Sequence, residues 1–442
     1  MSASTEDRKK LRCIIIGAGN RGFRYSQYAL DFPERLQVVA VADPNEKALR
    51  RMKEAHNIPD DNIHRDWKEI ATKDKYAEFV VVATPDRHHK DPTVSFAKKG
   101  YHILLEKPMA ISEEDCKEIA HVCKQHKVML GVCHVLRYSP PMRKIKEIIM
   151  SGRIGDVVNI QHLEPVGFWH FGHSYVRGNW RNEAESTFSL LAKCCHDVDL
   201  IMWWMGKKRC EQISSFGSLV HFTKENKPAG AGSRCLECNV EQTCPYSAKK
   251  LYLGQFNSGN KGWPISVICN AEEPTLERVT NALKTGPYGK CAYECDNDVC
   301  DNQVVNMSFS GGATANLTMI AYTQRTCQRV VKIFGTKGEI RFDNQALQVY
   351  DFLSGKQETI TLPSAPQEKS SLQGHDGADY FTFHSFVKAV QTNDPSLILS
   401  GPDDSLASHL LVFAAEKSRR QNRIVDTLTE LPSWFGEIHE DI

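Results

Sequence analysis

The feature that most constrains this chain is an apolar run that ends in a glycine turn near the start of the sequence. The run covers 13–16 and leads directly into Gly-Ala-Gly-Asn-Arg-Gly at 17–22, after which a helix-compatible stretch covers 23–32. A second apolar run, 38–42, ends on Asp43. A strand, a glycine turn, a helix and a second strand that ends on an acid together predict a dinucleotide-binding βαβ unit.

Each position in the glycine turn has its own physical role. Gly17 permits the tight turn, and Gly19 lets a pyrophosphate approach the backbone. Gly22 lets the helix pack closely against the strand. Asn20 and Arg21 complete the turn, and the N-terminus of the helix that follows offers unpaired N–H groups to phosphates. We therefore expect all five residues to bind the cofactor.

Asp43 predicts which dinucleotide is bound. An acid at the end of the second strand accepts hydrogen bonds from the adenosine ribose hydroxyls, and its charge would repel the 2′-phosphate of NADP. The following residues, Pro44 and Asn45, supply no adjacent cation. We expect NAD as the cofactor, and NADP is less favoured.

Composition narrows the class of protein. A chain of 442 residues is long for one core and predicts two domains. A formal net charge of +1 favours neither nucleic acid nor an anionic membrane as a partner. No apolar run is long enough to span a bilayer, and residues 1–10 lack the apolar core of a signal peptide. Fifteen cysteines fit a reducing compartment with thiols or metal. We expect a cytoplasmic protein.

The chain changes character after residue 136. Residues 1–136 alternate strands and helices, which predicts a Rossmann doubly wound parallel sheet that binds NAD. Residues 137–442 predict an α+β substrate-binding and catalytic domain with a mostly antiparallel open sheet and a cysteine-rich insertion at about 232–300. Ligands of parallel sheets bind beyond the carboxyl ends of the strands. The residues expected on that rim are Gly17, Asp43, Thr84, Glu106, Lys107, Cys133 and His134.

Several motifs resemble those of the Gfo/Idh/MocA oxidoreductases, the family of glucose–fructose oxidoreductase and inositol dehydrogenase. The matching residues are the glycine turn, Asp43, Thr84-Pro85 with His88, Glu106-Lys107-Pro108, and Cys-His-Asp-Val-Asp at 195–199. The resemblance implies NAD(P)-dependent oxidation or reduction of a sugar, a polyol or a related carbon–oxygen centre. It also implies that Thr84, Pro85, His88, Glu106 and Lys107 contribute to the cofactor site. We expect a homo-oligomer, a dimer or a tetramer.

Two residues are candidates for proton transfer. Oxidation of a secondary alcohol needs a base that takes the hydroxyl proton. Lys107 ends a predicted strand on the ligand rim and suits that role; the alternative is a surface lysine in a salt bridge with Glu106. The resemblance implies that His196 is an acid/base histidine, although a histidine in a buried helix is often a hydrogen-bonded core residue.

The helix that carries His196 departs from the family pattern. Many family members have an aspartate four residues before this histidine, where this chain has Ala192. Lys193 follows, and three roles stay open for it: binding substrate hydroxyls, sharing the proton transfer, or lying as a lysine at the surface.

Residues 169–181 form an aromatic segment that is dense in hydrogen-bond donors. Sugar faces stack on Trp and Tyr rings, and sugar hydroxyls pair with His, Asn and Arg. A partly buried surface loop or a subunit contact is the alternative. For His375 and Asp379, the alternative to substrate binding is that this polar turn only opens a helix, with Asp376 as its cap. The predicted substrate residues are His170, His173, Tyr175, Trp180, Arg181, Tyr322, His375 and Asp379.

The cysteines of the insertion predict a structural zinc site. Cys235, Cys238 and Cys244 are spaced as C-x2-C-x5-C, and Cys295 or Cys291 supplies the fourth thiolate. An insertion with little hydrophobic core of its own would need a metal site to stabilise its fold. Reduced, metal-free thiols are the alternative, and an iron–sulfur cluster is less favoured because the expected chemistry is hydride transfer.

These observations together predict an NAD-dependent dehydrogenase or reductase that acts on a CH–OH group of a sugar, cyclitol or glycoside. Two other functions are compatible with the same residues. One is an NAD-assisted glycosidase that works by transient oxidation and elimination. The other is a catalytically weak NAD-sensing regulator.

Overall fold

The computed structural model describes residues 10–362, 370–432 and 435. The chain forms two compact units. The first contains the described residues up to Lys144 and those from 370 to His409; the second contains Ile145–Leu362 and the described residues from Leu410 onward. The sequence predicts a single boundary after residue 136, whereas the chain returns to the first unit before His409 and then enters the second unit again at Leu410. Over the described residues, no helix combines the length and hydropathy that crossing a bilayer requires.

The first unit is built on a six-stranded parallel sheet in the order β3-β2-β1-β4-β5-β6. Its strands are β1 (Leu11–Ile16), β2 (Leu36–Ala42), β3 (Ile63–His64), β4 (Phe79–Val82), β5 (His102–Leu105) and β6 (Leu130–Val132). This confirms the predicted doubly wound sheet. The strand order reverses between β1 and β4, and ligands of such sheets bind at that reversal, outside the carboxyl ends of the strands.

Helices alternate with these strands, and the helix predicted at 23–32 begins three residues earlier, at Asn20. In chain order, up to the second unit, they are Asn20–Asp31, Glu46–His56, Trp67–Thr72, Lys90–Lys98, Glu113–Gln125 and Pro140–Met150, with 3-10 turns at Asp60–Asn62, Asp86–His88 and Val135–Tyr138. The Ser112 hydroxyl accepts a hydrogen bond from the Asp115 N–H at 3.2 Å. Ser112 therefore caps its helix.

A helix from the far end of the chain completes the first unit. Helix Ala378–Thr392 buries Phe383 and Phe386. The Phe383 ring lies 5.6 Å from that of Tyr25, and the Phe386 ring lies 5.3 Å from that of Phe79 on β4. A Cβ on Gly131 would lie 3.0 Å from the Phe386 ring, so a larger residue there would push this helix away. Aromatic packing holds the returning helix in the first unit.

The second unit contains a nine-stranded sheet in the order β14-β13-β12-β11-β7-β10-β9-β8-β15. Only β7 and β10 pair in parallel, which confirms the predicted mostly antiparallel sheet. The strands are β7 (Val157–Pro165), β8 (Cys210–Ser218), β9 (Asn302–Phe309), β10 (Thr314–Ile320), β11 (Val330–Gly335), β12 (Gly338–Phe342), β13 (Leu347–Asp351), β14 (Lys356–Ile360) and β15 (Val425–Asp426). The polar sequence of β8 does not alternate regularly, so it was not predicted.

Helices and short turns complete the chain. The remaining α-helices are Phe168–Phe171, Ser189–Met205, Gly254–Asn257, Ile265–Ile268, Leu276–Thr285, Pro402–Gln421 and Thr427–Glu430. The π-helical turns are Gly172–Val176 and Lys249–Leu253, and the 3-10 turns are Lys224–Asn226, Cys235–Glu237, Glu241–Thr243, Pro287–Gly289, Ser310–Gly312 and Pro395–Leu397. The aromatic segment singled out at 169–181 is thus partly helical. Stacking of Phe171 on Phe222, with ring centres 5.9 Å apart, draws that segment into the core.

The cysteine-rich insertion has a core of its own. Ala248, Tyr252, Ile265, Val279 and Leu283 are fully buried and pack together. The expectation of an insertion with little core is therefore wrong. Its apolar residues are spread over several short helices, so no single run of sequence indicates that they meet.

Phe383→Ala is expected to lower the free energy of unfolding of the first unit by about 3–5 kcal/mol, because it leaves a cavity among buried aromatic rings. Phe352→Ala, at a ring that is 52% exposed, is the matched control and should cost less than about 1 kcal/mol. Urea unfolding followed by circular dichroism measures both. Equal losses in the two variants would show that the returning helix does not stabilise the first unit.

Candidate active site

The glycine turn after β1 leaves its backbone open on one side. Gly17 has a φ of +90°, and a Cβ there would lie 2.5 Å from the Ala83 carbonyl oxygen. A Cβ on Gly22 would lie 1.8 Å from the Gly17 oxygen, whereas a Cβ on Gly19 would meet nothing within 4 Å. Helix Asn20–Asp31 begins after Gly19 without a side-chain cap. Open space beside uncapped N–H groups fits a dinucleotide pyrophosphate.

Asp43 and a cation both contact this turn. The Asp43 carboxylate accepts hydrogen bonds from the Ala18 N–H at 2.6 Å and from the Asn45 N–H at 2.8 Å. The Arg51 guanidinium donates to the Ala18 carbonyl oxygen at 2.8 Å. Sequence reasoning found no cation next to Asp43 and missed Arg51, which helix Glu46–His56 brings to the turn. The local charge is therefore less negative than the sequence indicates.

A buried ionic cluster lies at the end of β5 and includes four of the predicted site residues. The Arg21 Nε donates to Glu106 Oε1 at 2.5 Å, and its NH1 donates to Asp379 Oδ2 at 2.7 Å. The Tyr25 hydroxyl also donates to Glu106 Oε1, at 2.8 Å. His375 Nδ1 lies 2.9 Å from Asp379 Oδ1. Arg21, Glu106 and Asp379 therefore meet through one guanidinium.

The charges of this cluster are mutually stabilised. Burial raises the pKa of Glu106, but the positive charges of Arg21 and Lys107, together with the hydrogen bonds from Arg21 and Tyr25, outweigh it and hold that pKa below its usual value. Burial likewise raises the pKa of Asp379, and Arg21 and His375 overcome it so that the pKa is strongly lowered. The pKa of Arg21 is raised because two carboxylates outweigh its burial. Both carboxyl groups are thus ionised at neutral pH.

Lys107 follows Glu106 at the same strand end and is half-buried. Its backbone N–H donates to Glu106 Oε2 at 3.0 Å, so the fixed carboxylate also fixes the chain at Lys107. His134 and Cys133 follow β6 and are buried. Burial, with smaller contributions from Arg137 and Lys107, lowers the pKa of His134 to about 3. Burial raises the pKa of Cys133. Neither His134 nor Cys133 is charged at neutral pH.

The loop after β4 places its two histidines differently. The Thr84 hydroxyl donates to the His88 carbonyl oxygen at 2.9 Å, and the His88 side chain is exposed. His89 is buried, with Nδ1 2.7 Å from the Pro108 oxygen and Nε2 2.9 Å from the Thr84 oxygen. His89 thus joins the loops that follow β4 and β5. Sequence reasoning missed it because adjacent histidines do not reveal which one is buried.

In the second unit, Lys193 lies in a polar cluster and not at the surface. Its side chain is 12% exposed, and its Nζ lies 3.3 Å from Glu164 Oε1 and 2.9 Å from Cys327 Sγ. His170 Nδ1 lies 3.2 Å from the same sulfur. Burial lowers the pKa of Lys193, but Cys327 and Glu164 outweigh it and raise that pKa above its ordinary value. Lys193 is therefore a cationic hydrogen-bond donor and a poor base.

His196 lies on the same helix, Ser189–Met205, and is 4% exposed. The next residue, Asp197, accepts hydrogen bonds at 2.7 Å from Arg329 Nε and from His162 Nε2. Burial raises the pKa of Asp197, yet Arg329 and His162 lower it below its usual value. Arg329 also pairs with Glu164 at 3.2 Å. This ionic network fixes the turn of helix that carries Lys193 and His196.

Four of the predicted substrate residues are engaged by other side chains of the protein. His173 is buried with Nδ1 2.9 Å from the Tyr252 hydroxyl, and burial lowers its pKa to about 3. Arg181 pairs with Asp296 and Glu185, at 2.8 and 2.9 Å. The remaining two are Tyr322, whose hydroxyl donates to Asp301, and Asp379, which pairs with Arg21 and is 0% exposed. Such contacts favour structural roles for all four residues.

The other four predicted substrate residues are placed differently. His170 and Trp180 are half-buried, and Tyr175 is buried with its ring 5.0 Å from that of Phe171. The His375 side chain is 38% exposed. The N-cap of helix Ala378–Thr392 is Gly377. The prediction that Asp376 caps this helix is therefore wrong.

The fifteen cysteines are free thiols, and four of them surround one cavity of about 20 Å³. They are Cys235, Cys238, Cys244 and Cys291. Cys295 does not line it; its thiol donates to the Cys291 carbonyl oxygen at 3.3 Å. In the described part of the chain, no three His, Cys, Asp or Glu side chains are arranged so that they would hold a metal ion.

Comparison with known families agrees with the geometry. Residues 11–134 match the NAD-binding Rossmann fold of the Gfo/Idh/MocA oxidoreductase family, and residues 146–427 match the C-terminal alpha/beta domain of the same family. The chain belongs to this family. The predicted resemblance is confirmed over nearly the whole chain.

Individual relatives are distant. Oxidoreductase YteT of Bacillus subtilis is 25% identical over 361 residues, which cover 76% of this chain and 78% of YteT. The 2,7-anhydro-N-acetylneuraminate hydratase of Mediterraneibacter gnavus is 28% identical over 214 residues, 48% of this chain and 54% of the hydratase. A levoglucosan dehydrogenase solved with NADH and L-sorbose has a TM-score of 0.67 at 18% identity and covers 95% of this chain and 99% of its own. That last similarity shows the fold alone.

Asp379→Asn is expected to lower the free energy of unfolding of the first unit by about 3–5 kcal/mol at neutral pH, because it breaks a buried ion pair. The lowered pKa of Asp379 means that its contribution is present above the unfolded value, about 3.9, and is lost as the pH falls below it. The difference between wild type and variant should therefore shrink in acid. Urea unfolding at neutral and acidic pH measures this difference.

The control is Asp403→Asn, at a partly exposed carboxylate 2.6 Å from the Lys124 ammonium. It should cost less than about 1 kcal/mol at either pH. A loss for Asp379→Asn that stays constant from neutral to acidic pH would contradict the ion pair.

Proposed function

We propose that this protein is an NAD(H)-dependent oxidoreductase that moves a hydride to or from a secondary alcohol carbon of a sugar, cyclitol or glycoside. The observation that carries the proposal lies in the first unit. There a turn that fits a dinucleotide pyrophosphate and a lysine held by a fixed carboxylate both follow strands of one parallel sheet. Bound NAD would supply the hydride acceptor, and NADH the donor.

Lys107 is the proposed acid/base for the substrate hydroxyl. Both Glu106 oxygens are engaged, one by Arg21 and Tyr25 and the other by the Lys107 backbone N–H. Glu106 is thus a positioning residue that orients the chain at Lys107. A positioned proton acceptor accelerates hydroxyl oxidation because the alkoxide never forms free in solution.

In the second unit, Lys193 and His196 take complementary roles in the proposal. Lys193 is cationic and donates a hydrogen bond to a substrate hydroxyl, which suits a site where Ala192 stands in place of the family's usual aspartate. His196, at the family's histidine position, exchanges protons with the substrate. His170, Tyr175, Trp180 and His375 remain the proposed substrate contacts. The free thiols support a reducing compartment, and we place the protein in the cytoplasm as a homo-oligomer.

The substrate experiment screens the purified protein with NAD and NADH against a panel of sugars, polyols and glycosides, with NADH absorbance as the readout. The proposal expects one or more compounds to change the NADH concentration in proportion to product. Conversion of a compound without any change in NADH would contradict net oxidation or reduction and would favour a redox-neutral elimination. Tight NAD binding without conversion of any compound would favour the NAD-sensing regulator.

Lys107→Ala is expected to lower kcat by about 10²- to 10⁴-fold, the usual loss when a positioned acid/base is removed. NAD affinity should change little, since the glycine turn and Asp43 remain. Lys98→Ala, at an exposed lysine of the same unit, is the control and should turn over like wild type. Normal turnover of Lys107→Ala on the true substrate would show that the proton leaves by another route.

Asp43→Asn is expected to shift the cofactor preference toward NADP, because the amide oxygen can still accept from the Ala18 N–H while the repelling charge is gone. The wild type should bind NAD more tightly than NADP, and the ratio should fall about tenfold or more in the variant. Arg51→Ala should weaken NADP binding to the Asp43→Asn protein. Calorimetric titration of both nucleotides measures this, and tighter NADP than NAD binding by the wild type would contradict the NAD assignment.

A second candidate function is a redox-neutral elimination. The observation that favours it is the similarity to a protein named a hydratase, which neither gains nor loses electrons overall. A sugar oxidised transiently beside a leaving group loses that group readily, and the cofactor is then regenerated. The same Lys107 and His196 would move the protons. The substrate experiment distinguishes the two functions through NADH accumulation.

A further inference from the structure

Two distant segments of the insertion bring four thiols to one small cavity. Cys235, Cys238 and Cys244 come from the first segment, and Cys291 comes from the second. An antiparallel bridge joins Arg234 to Lys290, and the Cys291 N–H donates to the Ser233 carbonyl oxygen at 2.8 Å. The backbone itself therefore fixes Cys291 opposite the other three.

A buried cation lies against the same thiols. Arg177 is 2% exposed, and its NH2 lies 3.8 Å from Cys235 Sγ. Its other contacts are carbonyl oxygens, those of Tyr246 at 2.8 Å and Lys290 at 2.9 Å. Within residues 10–362, 370–432 and 435, no carboxylate pairs with Arg177. A buried guanidinium without a counter-charge is costly, so this position calls for negative charge in the cavity.

We propose that Cys235, Cys238, Cys244 and Cys291 hold one structural zinc ion. When Zn²⁺ binds, each thiol releases its proton to solvent and forms a Zn–S bond, with no change of oxidation state. Zn²⁺ with four thiolates carries a net charge of about −2. That charge supplies the counter-ion that Arg177 lacks. The proposal does not depend on the proposed function.

Coordination of the ion requires the four thiols to rotate toward a common point in the cavity. They surround the cavity without forming a coordination set, and rotation about a Cα–Cβ bond moves a sulfur by a few ångströms. A cavity of about 20 Å³ suits one small ion and not a cluster. Cys295 does not line the cavity, so Cys291 is the proposed fourth ligand.

The zinc would also stabilise the aromatic segment. Arg177 lies on the same stretch of chain as His170, His173 and Tyr175, and it contacts the backbone on both sides of the thiol cavity. Removal of zinc is therefore expected to loosen this segment. The glycine turn and Asp43 belong to the first unit, so NAD affinity should not change.

The test measures metal in the full-length protein, purified without added metal under reducing conditions. Elemental analysis should find one zinc per chain in the wild type. Cys291→Ser should lose the metal, whereas Cys295→Ser, the matched control four residues away, should keep it. Arg177→Met should bind zinc about 10- to 100-fold more weakly. Zinc retained by Cys291→Ser but lost by Cys295→Ser would overturn the ligand assignment.

Two measurements on the wild type guard against variants that do not fold. Exchange of the metal for Co²⁺ should produce the visible absorption and thiolate charge-transfer bands of tetrahedral cobalt with sulfur ligands. Limited proteolysis after chelation should cut the insertion while the NAD affinity stays unchanged. A wild-type protein that contains no zinc and takes up neither Zn²⁺ nor Co²⁺ overturns the site.

Discussion

The first unit depends on one buried guanidinium. Arg21 connects three distant parts of the chain: the glycine turn in which it stands, Glu106 at the end of β5, and Asp379 on the returning helix. Asp379 is 358 residues away in sequence, so this ion pair joins the returning helix to the glycine turn at the start of the chain. Removing one partner of such a pair leaves an uncompensated buried charge, which costs about 3–5 kcal/mol. The turn proposed to bind phosphate is therefore fixed by the same interaction that positions Lys107.

The second unit uses the same physical device. Arg329 lies between Asp197 and Glu164, and Glu164 also pairs with Lys193. Two cations and two carboxylates balance, so the network carries no net charge and tolerates burial. Burial lowers the pKa of Lys193, but Cys327 and Glu164 raise it above its ordinary value, so Lys193 keeps its proton and acts as a donor. This explains how a lysine can stand next to the position where many relatives have an acid.

Much of the fold could be predicted because it depends on local patterns. Buried parallel strands read as apolar runs, and the runs predicted at 13–16 and 38–42 lie within β1 and β2. The residues of the cofactor turn follow from a motif with a known mechanism. The partners of charged residues could not be predicted: Asp379 reads as an exposed substrate contact at the start of a helix, and Arg51 reads as a surface residue. Helices and strands leave a periodic pattern in the sequence, but two residues that form a distant salt bridge do not. Only the tertiary structure therefore shows which charged side chains meet.

Hydride transfer is tested most directly by tracing the hydrogen that leaves NADH. NADH that carries deuterium at the transferable position is incubated with the ketone form of a compound that the protein converts. The account predicts that deuterium appears on the newly formed carbinol carbon, in proportion to product. The redox-neutral alternative predicts that deuterium is exchanged without net NADH consumption. Product that forms while all deuterium stays on the nucleotide would contradict hydride transfer, and with it the proposed oxidoreductase function.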